Sequence, residues 1–168
     1  ERGVAVRAVI AGGGEEEAAL RDLAERLGVA GGVSLLGVKT ALELADLYRR
    51  CDVAVLPSHD EGLGLTLIEA MYSGAPVIGS RSGGIRDIVQ DGVTGLLVEP
   101  GDPISLADAL ARVLADADLA QRLGHAGQAF VRRHYDPAAC VSAMIAAYQA
   151  ALGRGRPSPE YNANVMAA

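Results

Sequence analysis

Apolar residues fall along this chain in two rhythms. Five short runs, VAVRAVI (4–10), VSLLG (33–37), DVAVLP (52–57), PVIGS (76–80) and TGLLVE (94–99), are too short for helices. They are rich in Val, Ile and Leu and bounded by Gly, Asp or Pro, which predicts strands. DVAVLP is unbroken, as expected of a strand buried on both faces. Between the runs, apolar positions recur every three or four residues. This predicts helices from Glu15 to Leu27, after Thr40 (with Leu44, Leu47 and Tyr48 on one face), from about Leu65 to Ser73, and briefly over IRDIV. Thr40 suits an N-cap and Gly74 the left-handed position past a helix end. Beyond Asp102 the pattern is wholly helical, in PISLADALARVLAD, LAQRLGHAGQAFVRRHY and PAACVSAMIAAYQAAL. The stretch GRGRPSPEYNANVMAA has no periodicity and reads as a disordered tail. One domain is therefore expected over residues 1–152, with 153–168 outside it.

Strands alternating with helices predict an α/β fold, a doubly wound and mostly parallel sheet covered on both faces. Such sheets bind ligands at the carboxyl ends of their strands. Glycine loops at 12–14, 62–64 and 83–84 each follow a strand, so all are expected on that edge.

Composition narrows the function. Of 168 residues, 50% are hydrophobic, yet no run approaches the ~20 apolar residues of a membrane span. No charged start followed by an apolar segment marks export, so a cytoplasmic location is expected, with peripheral attachment at the inner membrane face as the alternative. The first residue is Glu1 rather than Met, which reads as a piece of a longer chain. A net charge of −6 with a single lysine, Lys39, argues against nucleic-acid partners. Cys51 and Cys140 have no metal-ligand spacing and lie in apolar stretches, so both are expected as buried thiols in a reducing compartment.

Several motifs invite chemistry and are better explained otherwise. AGGG (11–14) lacks the third glycine of a dinucleotide fingerprint, where Glu17 stands, and Glu15 to Glu17 would repel a pyrophosphate. HDE (59–61) is three consecutive loop residues, which rarely converge on one metal ion. His125 and His134 fall in late helices. DAD (116–118) lies between two helices, where acidic residues favour a helix start. GSRSG (79–83) has Arg81 where a nucleophile elbow needs Ser.

EGLGLTLIE (61–69) is different. Its glycines let backbone approach a ligand, and the helix behind them offers free N–H groups and a positive dipole end. This suits a phosphate. Glu69 lies about 7–8 Å along that helix at 1.5 Å per residue. A carboxylate there can accept hydrogen bonds from a ribose diol, and Glu61 can do so for a second sugar. The pattern asks for a nucleotide sugar. It equally suits an ordinary solvated face, since Thr66, Glu69 and Ser73 fall at i, i+3 and i+7. Spacing alone leaves both readings standing.

The whole stretch PSHDEGLGLTLIEAMYSGAPVIGSRSGGIRDIVQDGVTGLLVEPGD (57–102) resembles the C-terminal, donor-binding domain of GT-B glycosyltransferases, in the large retaining family often called GT4. The shared frame is P-S-x-x-E-G-x-G-x-x-x-x-E-A-M, and similarity runs from about Val4 to Leu152. The resemblance implies that Glu61 contacts the donor sugar and supports reaction at its anomeric carbon. It implies that the amides of Gly62, Leu63, Gly64 and Leu65 hold the diphosphate and that Glu69 binds the ribose. Gly37, Val38 and Lys39 would sit against the base, and Ser82, Gly83 and Gly84 would border the pocket. It further implies transfer with retention, no metal and no cofactor beyond the nucleotide-sugar substrate.

Two departures carry expectations of their own. Family members have an N-terminal acceptor domain, and their donor domain begins one strand earlier, with a Gly-Arg…Lys segment that has no match here. That strand would be central, between VAVRAVI and DVAVLP. The sheet is thus expected to hold a gap, to close it by direct pairing, or to borrow a strand by self-association. Alone, the chain is expected to be inactive and to bind donor weakly if at all. The rival expectations are an epimerase or phosphorylase of the same fold, a non-catalytic binding module, and an oxidoreductase binding nicotinamide at Gly12–Gly14.

Overall fold

A computed structural model describes residues 6–153. The expected tail beyond Gly153 and the start of the first predicted strand lie outside them. In chain order the elements are β1 (Ala8–Ile10), α1 (Glu17–Arg26), β2 (Val33–Leu35), α2 (Ala41–Arg50), β3 (Ala54–Leu56), α3 (Leu65–Tyr72), β4 (Val77–Ser80), α4 (Ile85–Ile88), β5 (Leu96–Val98), α5 (Pro103–Ala115), α6 (Ala117–His134) and α7 (Pro137–Ala151). A single 3-10 turn, Ala30–Gly32, precedes β2.

Every predicted element forms, and the caps explain the boundaries. Thr40 and Glu43 make a reciprocal capping box at the start of α2. Asp102, Asp116 and Asp136 each accept backbone N–H bonds at the starts of α5, α6 and α7. Asp116 thereby takes the structural role expected of the DAD segment. Gly74, at φ +88°, follows the C-cap Ser73 and stops α3.

All strand pairs are parallel, but they form two sheets, β1-β2 and β3-β4-β5. No direct pairing closes the space between β1 and β3. The Ile10 carbonyl accepts from Leu36 N–H, so the polar groups of Val9 point to the opposite, unpaired edge. Ala54 N–H likewise donates to the Pro76 carbonyl, which turns the groups of Val55 outward from β4. Strand β1 is not covered on both faces as a doubly wound sheet would cover it. With one neighbour only, it leaves Val9 52% and Ile10 42% exposed.

The three-stranded sheet carries a core on each face. Successive residues of β4 point to opposite faces. Val77 joins Leu67, Met71, Ile85, Ile88 and Val131 from α3, α4 and α6. Ile78 joins Leu96, Val98, Val113, Leu119 and Leu123 on the other side. Helix α6 comes close to α3 and the turn after it because Gly127 faces Met71 and Gly124 faces Gly74. A Cβ on Gly124 would lie 2.6 Å from the Gly74 carbonyl oxygen. Helix α2, which follows β2 in the chain, also packs against α3.

The cysteines need a second correction. Cys51 is half-buried; its thiol donates to the Tyr48 carbonyl at 3.3 Å, and burial raises its pKa. Cys140 is exposed. It lies on α7, which has no charged residue and no buried one, so an apolar sequence there does not mean a buried helix. No helix among the described residues is long and apolar enough to cross a membrane.

Candidate functional site

Strand β3 ends at Leu56 and releases the loop 57–64, which turns into α3 at Gly64. Gly64 has the left-handed conformation (φ +79°) and its Cα is buried beside Ile85 and Ile88. The turn needs glycine for both reasons. It brings the Glu61 carboxylate back over the helix start, where Oε1 accepts the Gly64 N–H at 3.1 Å. Leu63 and Leu65 are held out into solvent around it. Gly62 is exposed too, so Gly62, Leu63 and Leu65 stand in solvent around the buried Gly64, whose N–H is held by Glu61. One turn further, Leu67, Ile68, Ala70 and Met71 are buried, and this leaves Thr66 and Glu69 on the exposed face. Glu69 lies beside Tyr48 of α2. Burial raises the pKa of that phenol first, and the Glu69 charge raises it further.

The loop after β4 backs this arrangement. The Ser80 hydroxyl donates to the Leu56 carbonyl at 3.3 Å, and the Ser82 hydroxyl to the Ser58 carbonyl at 2.9 Å. Gly84 N–H donates to the Glu61 carbonyl at 2.8 Å. A Cβ on Gly83 would land on the Glu61 carbonyl oxygen, and one on Gly84 on that of Gly62. These two positions are glycine because two backbones touch there. The loop after β5 joins through His59, whose imidazole lies where a Cβ on Gly101 would be 2.7 Å away. Arg81 is held by Asp91 at 2.8 Å and Glu99 at 3.2 Å.

A second pair of loops closes the two-stranded sheet. Gly12 N–H donates to the Gly37 carbonyl at 2.9 Å, and Val38 packs against Gly13. Gly37 has φ +65°, Val38 is 81% exposed, and Lys39 pairs with Glu43 at 3.8 Å. The structure thus gathers Glu61, Gly62, Leu63, Gly64, Leu65, Ser82, Gly83 and Gly84 into one cluster, with Glu69 on its helix. Gly37, Val38 and Lys39 form another, with Gly12 and Gly13. No hydrogen bond among the described residues links the clusters.

Chemically, the first cluster is a helix start flanked by the exposed Gly62, Leu63 and Leu65, with no lysine or arginine in the loop 57–64. Such a site takes an anion through amides and the helix dipole. Among the described residues no three His, Cys, Asp or Glu side chains gather as a metal ion would need. Sequence reasoning missed Ser58, Ser80 and the His59–Gly101 contact. Alternation with Ser82 at the end of a buried strand was the only local signal for Ser80, and Ser58 had none.

The comparisons with known proteins agree with this geometry. The family model described as Glycosyl transferases group 1 matches residues 1–130. A D-inositol 3-phosphate glycosyltransferase of Xylanimonas cellulosilytica is 39% identical over 158 residues, 91% of this chain and 37% of that protein. The chain thus spans little more than a third of that relative. Sucrose-phosphate synthase from Thermosynechococcus elongatus superposes with a TM-score of 0.83 at 34% identity, over 86% of this chain and 38% of the other. HepE of Anabaena, solved in complex with UDP, gives 0.78 at 26% identity, over 87% and 41%. With its two parallel sheets, its strand-end loops and a family match over most of its length, this chain belongs to the glycosyl transferases group 1.

Proposed function

We propose that the chain is the donor-binding part of a retaining, metal-independent glycosyltransferase that moves a sugar from a nucleoside diphosphate to an acceptor held by another part of the enzyme. One observation carries this reading: Glu61 and the exposed residues Gly62, Leu63 and Leu65 share a helix start with the exposed Glu69. The amides of Gly62, Leu63, Gly64 and Leu65 hold the diphosphate and stabilise it as leaving group, the task a divalent ion performs elsewhere. Glu69 accepts hydrogen bonds from the ribose, with Tyr48 beside it. Glu61 contacts the sugar hydroxyls and supports reaction at the anomeric carbon. Gly37, Val38 and Lys39 line the base. Uridine is the first base to test, since HepE was solved with UDP.

The test is a titration of the ¹⁵N-labelled 168-residue chain with UDP, followed by NMR. The amides of residues 62–65 and 37–39 should shift, and Glu69→Ala should weaken binding roughly tenfold, the worth of one charged hydrogen bond. With UDP-glucose and no other protein the chain should make no glycoside. Shifts confined to Gly12–Gly14, unmoved amides at 62–65, or turnover by the chain alone would each overturn the reading.

A further inference from the structure

The β3–β4 ladder does not end where its strands end. The last paired residues are Leu56 and Gly79. From that pair onward, donors at every second position of the second segment continue toward the first: Ser80 Oγ to Leu56, Ser82 Oγ to Ser58, then Gly84 N–H to Glu61. The acceptors step by two and then by three. The extra residue is taken up in the turn where Ser58 Oγ donates to the Asp60 carbonyl at 3.1 Å. Ser80 is 1% and Ser82 9% exposed, so neither hydroxyl is a solvated loop residue. Buried hydroxyls keep their partners because water is not there to replace them. Glu61 is therefore gripped twice, at its carbonyl by Gly84 and through its carboxylate by Gly64 N–H.

We propose that Ser80 and Ser82 are positioning residues, a side-chain continuation of the sheet that fixes where Glu61 and the amides of residues 62–65 stand. This rests on the donor-binding reading above. Without the Ser82 hydroxyl the segment 57–60 loses the one hydrogen bond that, among the described residues, links it to the neighbouring loop. The Glu61 carboxylate then drifts from Gly64. Threonine keeps the hydroxyl and alanine does not, which separates hydrogen bonding from space filling.

The experiment measures two things on the full 168-residue chain: hydrogen exchange at the Gly64 amide without ligand, and the UDP titration. Ser82→Ala should speed Gly64 exchange by about tenfold, toward the rate in Glu61→Ala, while the amides of β4 keep theirs. UDP binding should weaken about five- to tenfold, the worth of one net hydrogen bond. Ser82→Thr should restore both values. Ser80→Ala should act the same way less strongly, and it decides the matter if Ser82→Ala fails to fold. Wild-type Gly64 exchange in both alanine variants would overturn the proposal, as would Ser82→Thr behaving like Ser82→Ala. If UDP leaves wild-type residues 62–65 unmoved, the donor reading fails, while Gly64 exchange still decides the positioning role.

Discussion

The carboxylate of Asp91 sits between two donors, the Arg81 guanidinium at 2.8 Å and the Leu97 amide at 3.0 Å. Partial burial pushes its pKa up; the Leu97 amide and Arg81 together more than reverse this and leave it below the ordinary 3.8. The folded chain thus binds fewer protons at this site than the unfolded chain. The stability it adds is present at neutral pH and is lost as the pH falls below about 4. Because the side chain is 44% exposed, solvent screening keeps the effect under about 1 kcal/mol. Urea denaturation at pH 7 and pH 3 should show a smaller acid loss in Asp91→Asn than in the wild type, and equal losses would refute the assignment. At this scale, what could be read in the sequence was what is local. Thr40 with Glu43 and the capping aspartates act over two or three positions. The Ser80–Leu56 and Ser82–Ser58 bonds span 24 positions, and nothing near either serine announces its acceptor.

Between elements, close approach depends on absent side chains. Gly124 lies inside α6, where alanine would ordinarily be favoured by about 0.5–1 kcal/mol. Its Cβ would stand 2.6 Å from the carbonyl of Gly74, whose left-handed turn cannot readily yield. Overpacking of this kind costs about 1–3 kcal/mol, so the clash should outweigh the propensity. Gly124→Ala is expected to lower stability in urea denaturation; an increase would mean that α6 slides freely on α3. The helical rhythm of LAQRLGHAGQAF located α6 but gave Gly124 no purpose, because its contact is fifty positions away. Similarly, the apolar run at β1 signalled a strand without showing that only one neighbour would cover it. Helix α7 misled in the other sense. Its uncharged sequence suggested burial for Cys140, but apolar residues on every side of a helix do not say which side meets the protein.

For the whole molecule, alternation of strands and helices was enough to predict a parallel α/β fold, while the division into two sheets followed only from the family frame. That division bears on how the chain comes apart. Cooperativity in a sheet passes through its ladder, and here the ladder is interrupted between β1 and β3. Among the described residues the joint between the sheets carries no ladder hydrogen bond, and β1, α1 and β2 together bury one residue, Ala24. The two sides should behave as separate unfolding units of unequal depth. In native-state hydrogen exchange, the Leu36 and Gly12 amides should open at least ~100-fold more often than those of β4, a gap of about 2.7 kcal/mol. Equal protection would show one cooperative block. A ligand touching both Val38 and Glu69 would span the joint, so part of its binding energy would go into slowing the weaker side. Slowed exchange at Leu36 would then register occupancy at a distance from the phosphate amides, making the loosest part of the fold its most sensitive gauge.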